Sequence, residues 1–115
     1  MMQRNLLKQF GNDAEELATR FLQEAGYVIV ERNYYARKLG EIDIIAHRHG
    51  VWHFIEVKSA RADFDPVYNL TPAKLRRVIR STQYFLKERG LDVVFSIDAL
   101  LIRRDEVELI ENITL

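Results

Sequence analysis

The sequence predicts one α/β domain in which a mixed sheet is flanked by helices. Two stretches carry apolar residues at helical spacing, and short runs rich in β-branched residues lie between and after them. A chain of 115 residues is long enough for one hydrophobic core but not for two. Packing amphipathic helices onto a sheet buries the apolar faces of both. We therefore expect residues 1–115 to form a single domain.

The first predicted element is an amphipathic helix over Asn12–Ala25. Its apolar positions recur every three or four residues: Ala14, Leu17, Ala18, Phe21, Leu22 and Ala25. Asn12 or Asp13 can cap its start, and Gly26 ends it. A second helix is predicted over Thr71–Gly90, with a proline in its first turn. The buried stripe of the second helix consists of Leu75, Val78, Ile79, Thr82, Phe85 and Leu86.

Strands are predicted where β-branched and aromatic residues cluster between glycine and polar breaks. These segments are Tyr27–Glu31, Glu41–His47, Val51–Lys58, Val93–Ile102 and Val107–Ile113. The stretches Arg32–Leu39 and Ser59–Leu70 have no regular period and are left unassigned. The resulting order is αβββαβ followed by a terminal strand.

The turn between the second and third strands predicts how their charges are arranged. If His49-Gly50 is a two-residue hairpin loop, the register places Asp43 opposite Glu56 and Glu41 opposite Lys58. Side chains at alternate positions share a strand face, so these four charges meet at one end of the hairpin. The opposite face carries apolar residues that we expect in the core: Ile42, Ile44, Ile55 and Val57.

Such a cluster is ordinarily a set of cross-strand ion pairs on a solvated face. Two features argue against that interpretation. Asp43 and Glu56 are like charges placed opposite each other, which destabilises a sheet unless a cation lies between them. The flanking residues are apolar on both faces, so the carboxylates lie in a covered sheet and need a partner. Mg²⁺ or Mn²⁺ fits this pair, and Lys58 could then position the attacking water.

The motifs resemble those of known nucleases. Asp43, twelve intervening residues and Glu56-Val57-Lys58 resemble the PD-(D/E)XK signature of the restriction-endonuclease-like superfamily. Together with Gly11-x-x-x-Glu15 and the run from Gly40 to Ala46, they resemble more closely the YraN family of bacterial proteins. That family is similar to archaeal Holliday-junction resolvases, and the resemblance covers nearly the whole chain.

The resemblance implies a restriction-endonuclease-like αβββαβ core and a metal-dependent nuclease acting on DNA with branched or unpaired structure. It assigns catalytic roles to Glu15, Asp43, Glu56 and Lys58, with the three carboxylates as metal ligands. The sequence departs from the superfamily pattern because no proline precedes Asp43. Glu41 is an extra acid, either a support behind the ligands or the partner that orients Lys58.

Basic residues predict a nucleic-acid surface beside this site. They are Arg61 upstream of the second helix and Lys74, Arg76, Arg77 and Arg80 on it. A solvated helical face is the ordinary explanation, but next to a phosphodiester site such residues favour a track for the phosphate backbone. A catalytically silent nucleic-acid-binding module and a scaffold protein remain alternatives. A zinc site at His47, His49 and His53 is a further alternative, and Asp98 is expected to have a buried structural role.

Composition limits the function classes. Lys plus Arg and Asp plus Glu both number 17, so net charge favours no partner, and the absence of cysteine excludes thiolate sites. No apolar run approaches the roughly 20 residues of a membrane span, so we expect a cytoplasmic protein without membrane contact. DNA is favoured over RNA as the partner, and a monomer and a homodimer are both left open.

Overall fold

The computed structural model describes residues 13–60, 65–104 and 106–114. In chain order, the helices and strands are α1 (Ala14–Glu24), β1 (Val28–Tyr35), β2 (Glu41–Arg48), β3 (Val51–Ser59), α2 (Pro72–Arg89), β4 (Phe95–Ile102) and β5 (Val107–Ile110). Short 3₁₀ helices cover Arg37–Leu39 and Pro66–Asn69. The predicted fold class is confirmed: a mixed sheet with flanking helices in the αβββαβ order of a restriction-endonuclease-like core.

The five described strands form one sheet in the order β1-β2-β3-β4-β5. β3 and β4 run parallel, joined by the crossover through α2, whereas the other neighbouring pairs are antiparallel. β4 is buried over most of its length, as expected for an inner strand with helices on both sides. None of the helices in the described ranges is long and apolar enough to cross a membrane.

Each helix covers its own hydrophobic cluster. The α1-side cluster joins apolar residues of α1 to β2, β3, β4 and β5, including Leu17, Leu22, Ile44, Ile55 and Leu100. The α2-side cluster joins α2 to β1, β2, β3 and β4, including Tyr34, Ile42, Phe54, Phe85 and Ile97. The apolar stripe of each helix therefore determines which sheet face that helix covers.

The helix ends follow the predicted capping residues. The Asp13 carboxylate accepts from the Glu16 N–H at 3.1 Å, and the Thr71 hydroxyl accepts from the Lys74 N–H at 3.2 Å. Gly90 ends α2 in the left-handed conformation, with φ 61°. Of the predicted α2 stripe, Val78, Thr82 and Phe85 are buried and the rest half-buried.

The first strand is longer than predicted, because it continues from Val28 to Tyr35 through part of the unassigned stretch. Asn33 has a positive φ of 53°, yet pairing with β2 resumes beyond it at Tyr34–Ile42. Conversely, β5 ends at Ile110, three residues before the predicted end at Ile113. The polar residues in the second half of β1 do not form a strand pattern in the sequence, so that half was not predicted. Pairing with β2 supplies its backbone hydrogen bonds.

Candidate active site

The hairpin between β2 and β3 has the predicted turn and register. His49 and Gly50 both have positive φ, 52° and 78°, as in a type I′ turn, and Arg48 pairs with Val51. The described pairing runs to Ile44–Ile55 and ends there, one position before Asp43 and Glu56. The register is thus confirmed up to the charged positions. It does not continue as a paired ladder through them, which corrects the predicted direct opposition.

The sheet divides at this end into two parts. β2 stays paired with β1 as far as Tyr35–Glu41, while β3 stays paired with β4 as far as Ser59–Ile102. The side chains of β2 also change faces at this point: Ile44 packs in the α1-side cluster, whereas Ile42, two residues earlier, packs in the α2-side cluster. Ile42 was expected to share the face of Ile44, and the irregular backbone at Asn33 in the neighbouring strand accompanies this change. We call the gap between β2 and β3 the fork.

Asp43 lies in the fork. Its Oδ2 accepts a hydrogen bond from the Val57 N–H at 2.8 Å, so a side chain uses a backbone donor where strand pairing has ended. Burial raises the pKa of Asp43 from 3.8 to about 7, and the nearby charge of Glu56 acts in the same direction. The Val57 N–H and the positive charge of Lys58 only partly oppose this rise. The Val57 N–H and Lys58 therefore stabilise the ionised Asp43 carboxylate by less than burial and the charge of Glu56 destabilise it.

Glu56 and Lys58 lie on the β3 side of the fork. Lys58 Nζ is 3.0 Å from Glu56 Oε2, and the two side chains are 20% and 13% exposed. Because β3 is hydrogen-bonded to β4 at both positions, their backbone is fixed. Asp43, Glu56 and Lys58 thus form a compact group of two carboxylates and one ammonium.

These three residues line a cleft of about 630 Å³. The other residues lining it are Tyr35, Arg37, Lys38, Gly40, Glu41, Val57, Lys74, Arg77 and Val78. Five of the lining side chains are basic and three are acidic. A carboxylate pair surrounded by cations suits a ligand that carries both a negative charge and a bound cation, as a phosphodiester with a divalent metal does.

The basic walls of the cleft approach each other closely at Gly40. A Cβ added there would lie 3.2 Å from Ser81 Oγ and 3.6 Å from Arg77 Cβ, and φ is +139°. Glycine therefore lets the β1–β2 connection pack against α2. On the same wall, Arg37 Nε donates to the Tyr84 hydroxyl at 2.8 Å. This hydrogen bond raises the pKa of the Arg37 guanidinium and fixes its direction.

The remaining predicted site residues are spread more widely. Glu41 is exposed at the cleft wall, and the ion pair of Lys58 is made with Glu56 rather than with Glu41. Glu15 is half-buried in the first turn of α1 and is not among the residues lining the cleft. No three histidine, aspartate or glutamate side chains within the described ranges are grouped as a metal site. The roles of Glu15 and Glu41 therefore stay predictions.

Only part of the predicted basic track lies at the cleft. Lys74 and Arg77 line the cleft, whereas Arg76 and Arg80 are exposed elsewhere on α2. Arg61 lies outside the described residues. The prediction missed the basic pair that follows β1, Arg37 and Lys38. The available signal was a basic pair shortly before the Gly40-Glu41 start of β2, but its place in the cleft depends on a long-range contact with α2.

A second polar cluster lies further along the sheet. Asp98 is fully buried, as expected, with Oδ2 2.6 Å from His53 Nδ1. Its Oδ1 accepts from the Asn112 N–H at 3.0 Å and from the Ser96 hydroxyl. The histidines of the zinc alternative have separate surroundings: His47 packs edge-on against Trp52, and His49 lies in the exposed turn.

Comparisons with known proteins agree with the sequence pattern. The family model described as "Uncharacterised protein family UPF0102" matches residues 14–105. A UPF0102 protein of Sulfurovum sp. is 63% identical over 112 residues, covering 97% of this chain and 99% of its own. One from Wolinella succinogenes is 56% identical over 105 residues, covering 91% and 95%. One from Helicobacter pylori is 48% identical over 104 residues, covering 90% of each. The chain therefore belongs to the YraN-like family UPF0102.

Proposed function

We propose that this protein hydrolyses phosphodiester bonds with the help of a divalent cation, in DNA of branched or unpaired structure. One observation carries the proposal: Asp43, Glu56 and Lys58 meet where the sheet divides, in a cleft whose walls are basic. Two carboxylates and a lysine at this place match the chemistry of the PD-(D/E)XK pattern. The basic walls supply what a polyanionic substrate requires.

The carboxylate pair fits a hard divalent cation. Carboxylate oxygens are the ligands that Mg²⁺ and Mn²⁺ prefer, and the single positive charge of Lys58 does not balance two half-buried carboxylates. The raised pKa of Asp43 reflects that shortage. Asp43 and Glu56 would hold the ion, with Glu15 as the further ligand that the family resemblance implies. A bound ion would stabilise negative charge on a phosphoryl group under attack.

In the proposed reaction, Lys58 acts on the reacting groups. Its ammonium group is 3.0 Å from Glu56 Oε2 and its side chain is largely withdrawn from solvent, so its position is restricted. From there, it can donate a hydrogen bond to an attacking water or to a phosphate oxygen. Its charge then counters the negative charge that develops during attack, and low local dielectric strengthens this effect.

The cleft walls would bind the nucleic-acid backbone. Lys74 and Arg77 belong to α2, and Arg37 and Lys38 belong to the β1–β2 connection. Cations that two segments contribute to one cleft can contact successive phosphates of one strand. The preference for DNA, and for branched or unpaired DNA, rests on the resemblance to the junction resolvases. A cytoplasmic location is part of the same proposal.

A nucleic-acid-binding module without catalysis is the second candidate, and one observation favours it. Lys58 neutralises Glu56 by a direct ion pair, and no third carboxylate joins the group within the described ranges. Such a site would bind a phosphate backbone, yet hold a metal too weakly to cleave it. The two candidates share the cleft and differ in turnover.

A cleavage screen separates them. Branched, flapped, single-stranded and duplex DNA, with matching RNA, are incubated with Mg²⁺ or Mn²⁺, and products are resolved on denaturing gels. We expect cleavage of branched or unpaired DNA, and a loss of at least about 100-fold in Lys58→Ala, since one charge-stabilising donor is removed. Binding by Lys58→Ala should stay within about threefold of wild type. Binding without cleavage, across all substrates and both metals, would replace the enzyme by the binding module.

Two adjacent arginines supply a matched pair for the binding surface. Arg77 lines the cleft, whereas its neighbour Arg76 is exposed on the same helix but does not line it. Arg77→Ala should weaken DNA binding and reduce the slope of log K against log salt by about 1, as for one lost phosphate contact. Arg76→Ala should change both less. Equal effects would place the backbone track along the outer helix face.

A further inference from the structure

Tyr35 is an exposed aromatic residue at the mouth of the cleft. It is the last residue of β1, its backbone pairs with Glu41, and the residue is 68% exposed. Tyr35 lines the same cleft as Asp43 and Glu56. A ring that offers most of its area to solvent beside a charged site has an unused flat apolar surface.

The backbone that carries Tyr35 is held on both sides. Tyr34 is buried, its hydroxyl donates to Glu88 Oε1 at 2.7 Å, and its ring packs edge-on against Phe85 with centroids 5.0 Å apart. Ala36 is fully buried, and its N–H donates to the Gly40 carbonyl at 2.8 Å. The exposed ring therefore projects from a fixed position, which reduces the entropy lost when a ligand covers it.

The surroundings of the ring define the ligand. Arg37 and Lys38 follow Tyr35 after the buried Ala36, and Lys74 and Arg77 of α2 line the same cleft. A basic groove that follows a phosphate backbone, together with an aromatic side chain on which a base stacks, is the combination that binds single-stranded nucleic acid. Bases inside a duplex are already stacked and would have to be extruded first.

We propose that Tyr35 stacks on an unpaired nucleobase close to the phosphate that lies at Asp43 and Glu56. The protein then selects strands with an unpaired nucleotide at the cleft. This proposal rests on the proposed function and names the residue that reads the unpaired state. Stacking is tolerant of base identity, so the selection is for strand structure rather than for sequence.

The other exposed or cleft-side tyrosines have different settings. The Tyr84 hydroxyl accepts the hydrogen bond from Arg37, so Tyr84 positions a cation. Tyr68 is 72% exposed in the 3₁₀ helix Pro66–Asn69 and is not among the residues lining the cleft. Tyr68 is therefore a control of the same residue type and similar exposure.

The test measures binding by fluorescence anisotropy in the presence of a chelator, so that cleavage does not interfere. The probes are labelled oligothymidine, a strand of the same length built from abasic nucleotides, and a duplex. Wild type should bind oligothymidine about tenfold more tightly than the abasic strand, as for one base–aromatic stack. Tyr35→Ala should lose that difference and leave duplex binding within about twofold. Tyr35→Phe and Tyr68→Ala should behave as wild type.

Equal binding of oligothymidine and the abasic strand by wild type overturns the stacking proposal without reference to any variant. A Tyr35→Ala protein that keeps the full preference for bases overturns it as well. In both cases, binding and cleavage by wild type would leave the proposed function standing. The proposed function fails separately, if wild type cleaves none of the nucleic acids in the cleavage screen.

Discussion

Asp43 and Asp98 are aspartates in strands of the same sheet, and their surroundings differ. Asp98 is fully buried, and its two oxygens contact His53 Nδ1, the Ser96 hydroxyl and the Asn112 N–H. Asp43 accepts a hydrogen bond from the Val57 N–H and lies close to the carboxylate of Glu56. One carboxylate is surrounded by hydrogen-bonding groups, whereas the other has a like charge beside it.

The difference shows how one fold places the same side chain in two electrostatic environments. A carboxylate whose partners are complete fixes the segments that it joins, here β3, β4 and the chain after β5. A carboxylate held close to another needs a proton or a cation. At Asp43 that need arises where β2 and β3 stop pairing, so the cleft and the like-charge contact occur at the same opening in the sheet.

The largest expected effect separates the two aspartates by stability. Asp98→Asn should lower the free energy of unfolding by roughly 3 kcal/mol, because it turns an acceptor into a donor facing buried donors. Asp43→Asn should leave stability unchanged or raise it, because it removes a like-charge contact. Urea denaturation of both variants at pH 7 measures the difference. Equal losses would show that Asp43 is as much a structural residue as Asp98.

The next effect is the pH dependence of stability. The pKa of Asp43 is raised to about 7 in the folded protein, so the native state binds the proton more tightly than the unfolded chain. This contribution to stability is complete below the unfolded pKa near 3.8 and is lost as pH rises through 7. Relative to Asp43→Asn, wild type should therefore lose on the order of 2 kcal/mol between pH 5 and pH 8.

Denaturation curves of both proteins at several pH values measure this loss. Glu106→Gln, a change at an exposed residue next to β5, should follow the pH dependence of wild type. Parallel curves for wild type and Asp43→Asn would mean that Asp43 ionises as an ordinary carboxylic acid, and the contrast with Asp98 would disappear.

The smallest expected effect is stabilisation by metal. With free Mg²⁺ or Mn²⁺ tenfold above its Kd, the native state should gain about 1.4 kcal/mol, since the ion binds the folded protein and not the unfolded chain. Asp43→Asn should lose this gain and Glu106→Gln should keep it. Calorimetric titration gives the affinity, which should increase with pH because the ion and the proton compete for Asp43. An unchanged response in Asp43→Asn would place the metal elsewhere.

Local sequence signals predicted the hairpin well. His49-Gly50 fixed the turn, the turn fixed the register, and the register brought Asp43 close to Glu56. The end of the pairing at Ile44–Ile55 could not be anticipated, because it accompanies irregular backbone in β1 and the pairing of β3 with β4. No sequence pattern states where two well-formed strands separate.

The cleft walls were less predictable for a similar reason. Arg37 and Lys38 belong to the site because Gly40 packs against α2, a contact between segments far apart in sequence. The partner of Asp98 was also missed, since a parallel strand pair has no turn that sets its register. His53 reaches Asp98 through the β3–β4 pairing, in which Ile55 lies beside Asp98.

The two-residue turn has an evolutionary consequence. Strand side chains alternate with a period of two, so inserting or deleting one residue between Arg48 and Val51 would shift β2 by one position against β3. That shift would exchange the faces of Asp43 and its apolar neighbours, although the turn begins six residues away along the chain. We therefore expect homologues that keep the cleft to differ in the length of this hairpin only where the register is preserved. Two residues inserted or deleted together would preserve it, whereas one would not.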